Sequence, residues 1–490
     1  MEKIHVYKKS EVHIKLECDR GTAMEISEYF TFEVPGAKFM PAVRNKVWDG
    51  KIRLFNVNTQ LMYSGLTKRL EYFCEERGYE LVYHDDLLET LDIPLNGLAK
   101  YLNDGEYQLR DYQLRAVAHA IRNHRALILS PTASGKSFII YCLLRFYMRK
   151  SQKKALVIVP TTSLVYQMDN DFKDYSKEVQ FYYTHLIVGG QEKNSEEAQI
   201  YISTWQSIYK QPKSYFDQFD IVIGDEAHLF KATSLTKIME KLDNCKYRFG
   251  FTGSLDGTQT NKLVLEGLFG PVMRVVQTKE LIENKTLSSF RIKCLTLKYD
   301  DQTCKLISKA KYQDEMDFLV GNEARNNFIK NLTITRKGNT LLLFQYVEKH
   351  GKLLHDMIKD EVEDGRKVFF VYGGVDATVR EEIRGITETQ NDAIIVASYG
   401  TFSTGINIRN LHNVIFASPS KSRVRTLQSI GRALRKGDNK ESATLYDISD
   451  NLQYKSQINH TLKHFAERVK MYNDEQFEYK MYNIRLNNND

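Results

Sequence analysis

The stretch from Leu129 to Ser137 constrains this chain more than any other. A short apolar run, Ala126 to Leu129, precedes it and reads as a buried parallel strand. Phe138 to Arg149 follows, with helix-like apolar spacing and no Gly or Pro. A strand that turns tightly into a helix aims a row of backbone N–H groups and the positive end of the helix dipole at one point. Ser134 and Gly135 lie in that turn, and Gly135 lets the backbone come close to a phosphate. Lys136 supplies charge to β- and γ-phosphates, and the Ser137 hydroxyl suits Mg²⁺. The reading is a nucleotide phosphate loop, with Ser130 where the usual pattern has Gly or Ala.

A second chemical signal complements the first. Ile221 to Gly224 reads as a strand, and two acids, Asp225 and Glu226, emerge at its end, followed by Ala227 and His228. Asp225 is placed to hold Mg²⁺ and Glu226 to orient or deprotonate the water that attacks a γ-phosphate. An acidic helix start would look similar, because the dipole favours it. The phosphate loop upstream favours the chemical reading, since each motif supplies half of one reaction. Gln113, at a helix start, carries a donor and an acceptor that match an adenine edge. Thr252 and Ser254 end a further strand, where their hydroxyls can link the phosphate site to another ligand. Hydroxyls are also common in turns.

Both motifs sit in an alternation of short apolar runs and helical stretches. Candidate strands are 126–129, 155–159, 199–203, 220–224 and 247–251, then 340–345, 367–372, 393–398, 413–418 and 443–448. This pattern implies two α/β domains, each with an open, mostly parallel sheet. Ligands on such sheets sit at the carboxyl ends of the strands. Residues 286 to about 335 read as a hinge-like stretch, strand-like and then helical. In the second series, Ser398 to Asn407 lies at a strand end and includes Thr401 and Gly405. Arg432 and Arg435 are three apart and share a helix face. A guanidinium supplied by a second domain can stabilise charge on a transferring phosphoryl group. A solvated basic face is the competing reading.

Residues 1–100 read as a small α+β domain. The window from Lys38 to Arg53 holds Lys38, Arg44, Lys46, Lys51 and Arg53 against one acid, Asp49, with Phe39 and Trp48 interleaved. Val47 to Ile52 reads as a hairpin closed by Asp49-Gly50. Cations that neutralise phosphates beside aromatic stacking faces fit a nucleic-acid contact, although Trp48 as core and the lysines as a solvated face fit as well. The net charge of +7 on 490 residues permits a polyanionic partner without requiring one. No apolar run reaches the ~18 residues that span a bilayer, and the start of the chain has no apolar signal region. Six scattered cysteines with no CxxC pair read as reduced thiols in a cytoplasmic protein. Residues 101–285 and 286–455 are then the two α/β domains, and 456–490 an amphipathic helical tail with a frayed end.

Taken together these residues resemble superfamily-two helicases and translocases of the DEAH type, over roughly 105–455. Gln113 is similar to the adenine-reading glutamine, 130–137 to the phosphate loop, and Asp225 to His228 to the metal and water box. Thr252 to Ser254 resembles the coupling motif, in a Thr-Gly-Ser form. Ser398 to Asn407 resembles the fifth motif, and Gln428 to Arg435 the sixth, with Arg432 and Arg435 as its arginine fingers. Thr161 and Thr204 match nucleic-acid-contacting loops of the first domain. The stretch at 44–51 ahead of such a motor is most similar to phage recombination and repair helicases.

The resemblance implies two RecA-like domains closing over Mg-ATP and a DNA helicase acting on forks, Holliday junctions and R-loops. Its partners would be branched or duplex DNA, an RNA–DNA hybrid, and single-stranded-DNA-binding or recombination proteins. An RNA helicase with the same engine, and an ATP-gated clamp or annealing factor that does not translocate, are the alternatives. Neutralising Lys46 and Lys51 together is expected to weaken junction binding and to lower the slope of log affinity against log salt by about two. An unchanged slope in a salt titration would remove both lysines from the contact surface.

Overall fold

The computed structural model describes residues 2–486, apart from 85–90, 92, 132–133, 150–153, 178–180, 254, 256–258, 364, 402–407, 409, 419–421, 423–425, 428, 432–433, 435–439 and 441. The chain divides into two compact units, Met1–Val276 and Gln277–Asp490. In the first, alternating apolar residues build Lys3–Lys8 and His13–Glu17, each burying one face. With Glu80–Tyr83, Leu61–Tyr63 and Phe55–Asn56 they form a five-stranded sheet. Helices Arg20–Tyr29 and Thr67–Arg77 belong to the same small α/β module. Asp19 caps the first of them by accepting from the backbone N–H groups of Gly21 and Thr22 at 2.6 and 3.2 Å.

The second part of this unit is a seven-stranded sheet in which every pairing is parallel. Its spatial order is Thr184–Ile187, Ile200–Thr204, Lys154–Val159, Phe219–Asp225, Tyr247–Thr252, Arg125–Leu129 and Val272–Arg274. The central strands are continuous apolar runs because helices cover both faces. Parallel pairing puts all carboxyl ends on one edge, where the predicted motifs fall. The small module is docked on this sheet. Ile14, Phe30 and Phe73 share one buried cluster with Leu127, Leu156 and Phe269. Tyr63 donates to Glu240 at 2.8 Å, and Arg69 pairs with the buried Glu266. A Cβ at Gly65 would lie 2.1 Å from the Glu266 carbonyl oxygen, so only glycine permits that approach.

The second unit holds another seven-stranded, all-parallel sheet. Its order is Val368–Val371, Ile394–Ser398, Thr340–Phe344, Asn413–Phe416, Ser442–Asn451, Ser289–Lys298 and Tyr479–Arg485. Two parallel α/β sheets are thus present, as the alternation predicts, RecA-like as the resemblance implies, with a small N-terminal α/β module ahead of them.

Four expectations need correcting. The Asp49-Gly50 hairpin does not form: Lys51–Arg53 pairs with Thr31–Glu33, and the Gly50 carbonyl accepts from the Val34 N–H at 2.8 Å. Asp49 is drawn off to Arg53, with Oδ2 2.5 Å from Nη2. The strand-like part of 286–335 is not a hinge but an interior strand, because Ser289–Lys298 lies between Ser442–Asn451 and Tyr479–Arg485. The tail is a helix, His460–Asp474, followed by the strand Tyr479–Arg485, whose exposed edge position leaves it without an apolar signature. Thr184–Ile187 and Val272–Arg274 go unpredicted because they are short edge strands.

Buried ion pairs pin the second unit. Asp450 receives the Arg325 guanidinium at 2.8 and 3.1 Å and the Tyr299 hydroxyl at 2.8 Å, and both ionic partners are almost wholly buried. Asp447 receives Arg468 and Tyr472 in the same way. Removing one member strands an uncompensated charge. Asp450→Ala is therefore expected to cost about 3–5 kcal/mol, read by urea denaturation. A loss below about 1 kcal/mol, the range of an exposed pair, would mean that the guanidinium finds water instead.

Candidate nucleotide site

Three strands and two helices deliver the candidate groups to one place. Arg125–Leu129 leads into the phosphate loop, whose Gly135 has φ 79° and opens helix Lys136–Met148. Ser130 and Ser134 bond to each other at 2.5 Å, and Ser134 Oγ also donates to the Pro131 carbonyl at 2.6 Å. The Ser130 N–H donates to the Thr252 carbonyl at 2.9 Å, which ties the loop to the neighbouring strand Tyr247–Thr252. Gln113 is buried in the first turn of helix Asp111–Asn123. Its Oε1 accepts from the Arg110 N–H and its Nε2 donates to the Ser134 carbonyl, both at 2.9 Å.

The strand Phe219–Asp225 supplies the acids. Lys136 Nζ lies 2.6 Å from Asp225 Oδ1 and 3.1 Å from Glu226 Oε1. Burial alone would lower the lysine, but the two carboxylates outweigh it and hold the ammonium above the usual lysine range. Burial likewise pushes Asp225 up against the pull of Lys136. Glu226 goes the other way: burial opposes its charge, but Lys136 and His228 hold it well below the usual carboxylate range. Glu226 adopts a left-handed backbone, φ 50°, which is uncommon outside glycine. His228 Nδ1 is 3.0 Å from Thr252 Oγ1 and 3.2 Å from Glu226 Oε2. That Glu226 oxygen is buried, and His228 is its partner.

Other predicted residues occupy separate places. Thr161 caps helix Thr162–Tyr175, accepting from the Leu164 N–H at 3.4 Å. Thr204 is buried and bonds Ser207 at 3.0 Å. Both lie on the same carboxyl edge as the phosphate loop. Arg44, Lys46, Trp48 and Lys51 share one segment of the N-terminal module, between a short helical turn, Pro41–Arg44, and the strand Lys51–Arg53. The Trp48 indole N–H donates to the Lys51 carbonyl at 3.0 Å. In the second unit, Thr401 is buried and bonds Ser398 at 2.9 Å. Ser254, Gly405, Gln428, Arg432 and Arg435 lie outside the described residues.

Residues 3–85 match the family described as the N-terminal domain of the DNA helicase UvsW. Residues 106–256 match the res subunit of type III restriction enzymes, and 323–437 the conserved C-terminal helicase domain. The ATP-dependent DNA helicase UvsW of Enterobacteria phage T4 is 34% identical over 511 aligned positions, which cover 99% of each chain. The chain belongs to the UvsW family of DNA helicases. The crystal structure of T4 UvsW superposes with a TM-score of 0.52 at 33% identity, covering 99% of this chain and all of that one. A DNA-bound type ISP restriction-modification enzyme, LlaBIII, shares the fold, with a TM-score of 0.58 at 15% identity over 86% of this chain and 34% of its own length. No helix among the described residues is long and apolar enough to cross a membrane.

The residues present fit a nucleotide and a divalent cation. A Cβ at Gly135 would lie 2.3 Å from Gln113 Nε2, so the turn is a cradle that only glycine permits. Ser137 Oγ and Asp225 are the hard oxygen donors Mg²⁺ prefers, and Mg²⁺ takes few protein ligands when phosphates supply the rest. The sequence gives no sign of Tyr175, whose hydroxyl bonds Ser137 Oγ at 2.8 Å from the far end of helix Thr162–Tyr175. Forcing a side chain onto the left-handed Gly135 costs about 1–2 kcal/mol. Gly135→Ala is therefore expected to weaken binding of a fluorescent ATP analogue about tenfold; unchanged affinity would mean that this loop does not carry the nucleotide.

Proposed function

We propose that this protein is an ATP-driven translocase that remodels branched DNA, namely forks, Holliday junctions and R-loops, in recombination, repair and recombination-dependent replication. The observation that carries the ATPase part is the triad of Lys136, Asp225 and Glu226, in which the ammonium reaches both carboxylates, at 2.6 and 3.1 Å. Lys136 is charged and faces the two acids, so an arriving phosphate can take the ammonium. Glu226 is held ionised by Lys136 and His228, so it is a carboxylate that can orient an attacking water or accept its proton. His228 touches both Glu226 and Thr252, so a change in charge at Glu226 alters a bond to the next strand. Ser137 and Asp225 would hold Mg²⁺, which when bound neutralises charge on the phosphates.

Residues 1–100 serve as the DNA grip, 101–285 and 286–455 as the paired motor domains, and 456–490 as a support for the second. Arg432 and Arg435 complete the ATP site from the second domain, with Gly405 beside the nucleotide. Thr252, Ser254 and Gln428 couple it to the strand held by Thr161, Thr204 and Thr401. Closure over ATP and reopening after hydrolysis move that strand in small steps. The reading is supported by full-length similarity to a phage DNA helicase and by the basic, aromatic segment at 38–53. The host cytoplasm is the compartment, and single-stranded-DNA-binding and recombination proteins are the expected partners.

Lys136→Ala is expected to abolish DNA-stimulated ATP turnover while leaving DNA binding nearly intact. ATPase and unwinding across forks, Holliday junctions, R-loops, linear duplex and RNA, with triplex displacement to report movement, test the rest. Turnover without displacement would make the protein a clamp. Stimulation by RNA alone would move it to the RNA helicases.

A further inference from the structure

Ser137 is the one predicted cation ligand that comes from a flexible hydroxyl. A serine Oγ swings among three rotamers, and only some of them point at the phosphate turn. In this structure its partner is the Tyr175 hydroxyl, 2.8 Å away. Tyr175 is itself fixed. Its ring lies 5.0 Å from Phe138, 5.1 Å from Tyr107 and 5.5 Å from Tyr141, centroid to centroid. The first two contacts are edge-to-face, the favoured geometry for aromatic pairs. Tyr107 is tied in turn to the residue before Tyr175, donating to Asp174 at 2.5 Å. The phenol therefore stands on a packed aromatic base that reaches from the segment ahead of Gln113 to the last turn of helix 162–175.

We infer that Tyr175 is a positioning residue for the divalent cation that accompanies ATP. Resting on the ATPase reading above, it sets the Ser137 hydroxyl in the orientation that ligates. A phenol is a stronger acid than an alcohol, so Tyr175 donates and Ser137 Oγ accepts with one lone pair. The second lone pair stays available for the cation, and the serine proton for an acidic neighbour. No proton is transferred. The role is that of the outer partners around metal ligands, whose removal typically costs 10–100-fold in metal affinity.

The test uses the full chain and binding, not turnover. Wild type, Tyr175→Phe, Ser137→Ala and the double variant are titrated with a fluorescent ADP analogue over a range of Mg²⁺ concentrations and in EDTA. Tyr175→Phe keeps the ring and its packing, so circular dichroism and thermal midpoint should match wild type. The Mg²⁺ needed for half-maximal nucleotide binding should rise at least tenfold, while affinity in EDTA stays unchanged. The double variant should bind no worse than Ser137→Ala, because Tyr175 acts only through that hydroxyl. Equal Mg²⁺ dependence in wild type and Tyr175→Phe, or an equal loss with and without Mg²⁺, overturns the role of Tyr175. Nucleotide binding by wild type that ignores Mg²⁺ overturns the ATPase reading beneath it, and the two failures are distinct.

Discussion

The Lys136 ammonium, held between Asp225 and Glu226, is the interaction on which the site turns. Two adjacent carboxylates in a buried corner repel each other and lose hydration. One cation offsets both costs only if it reaches both oxygens. Lys136 does so because it opens the helix that follows Arg125–Leu129, one strand removed from the strand whose end carries the acids. The lysine is thus the internal counter-charge of the two acids.

That contact depends on sheet order. Arg125–Leu129 and Phe219–Asp225 are separated by one strand, Tyr247–Thr252, which pairs with both. Thr252 at its end bonds the loop on one side through its carbonyl and His228 on the other through its hydroxyl. Only parallel strands put three such ends on one edge. The cost is a far-reaching set of local contacts. Arg125, at the amino end of the phosphate-loop strand, donates to Ser64 of the N-terminal module at 2.6 Å. The module is therefore anchored on the same strand that carries the phosphate loop.

Much of this was legible in the residues. Apolar runs four to six residues long announced ten of the parallel strands, because a strand covered on both faces is mostly Val, Ile, Leu and Phe. That Lys136 would meet Asp225 and Glu226 was legible because all three follow strands of one parallel sheet. What stayed hidden has a common cause. Thr184–Ile187 and Tyr479–Arg485 are edge strands, half exposed, and a half-exposed strand has no run to read. The Asp49-Gly50 pair misled because a turn signal reports local propensity, and the partner for Lys51–Arg53 came from Thr31–Glu33 instead.

By itself the sequence determined the alternation of strands and helices, the chemistry at the strand ends, and hence an ATP-using α/β engine. Those follow from local requirements: apolar cover, a glycine where the backbone must turn, charge where phosphates bind. Tertiary structure alone decided that Tyr175 meets Ser137, that His228 bridges Glu226 and Thr252, and that the N-terminal module shares a core with the first motor sheet. Such facts are distances between groups far apart along the chain. They are set by how helices and sheets pack, and no single residue carries that information.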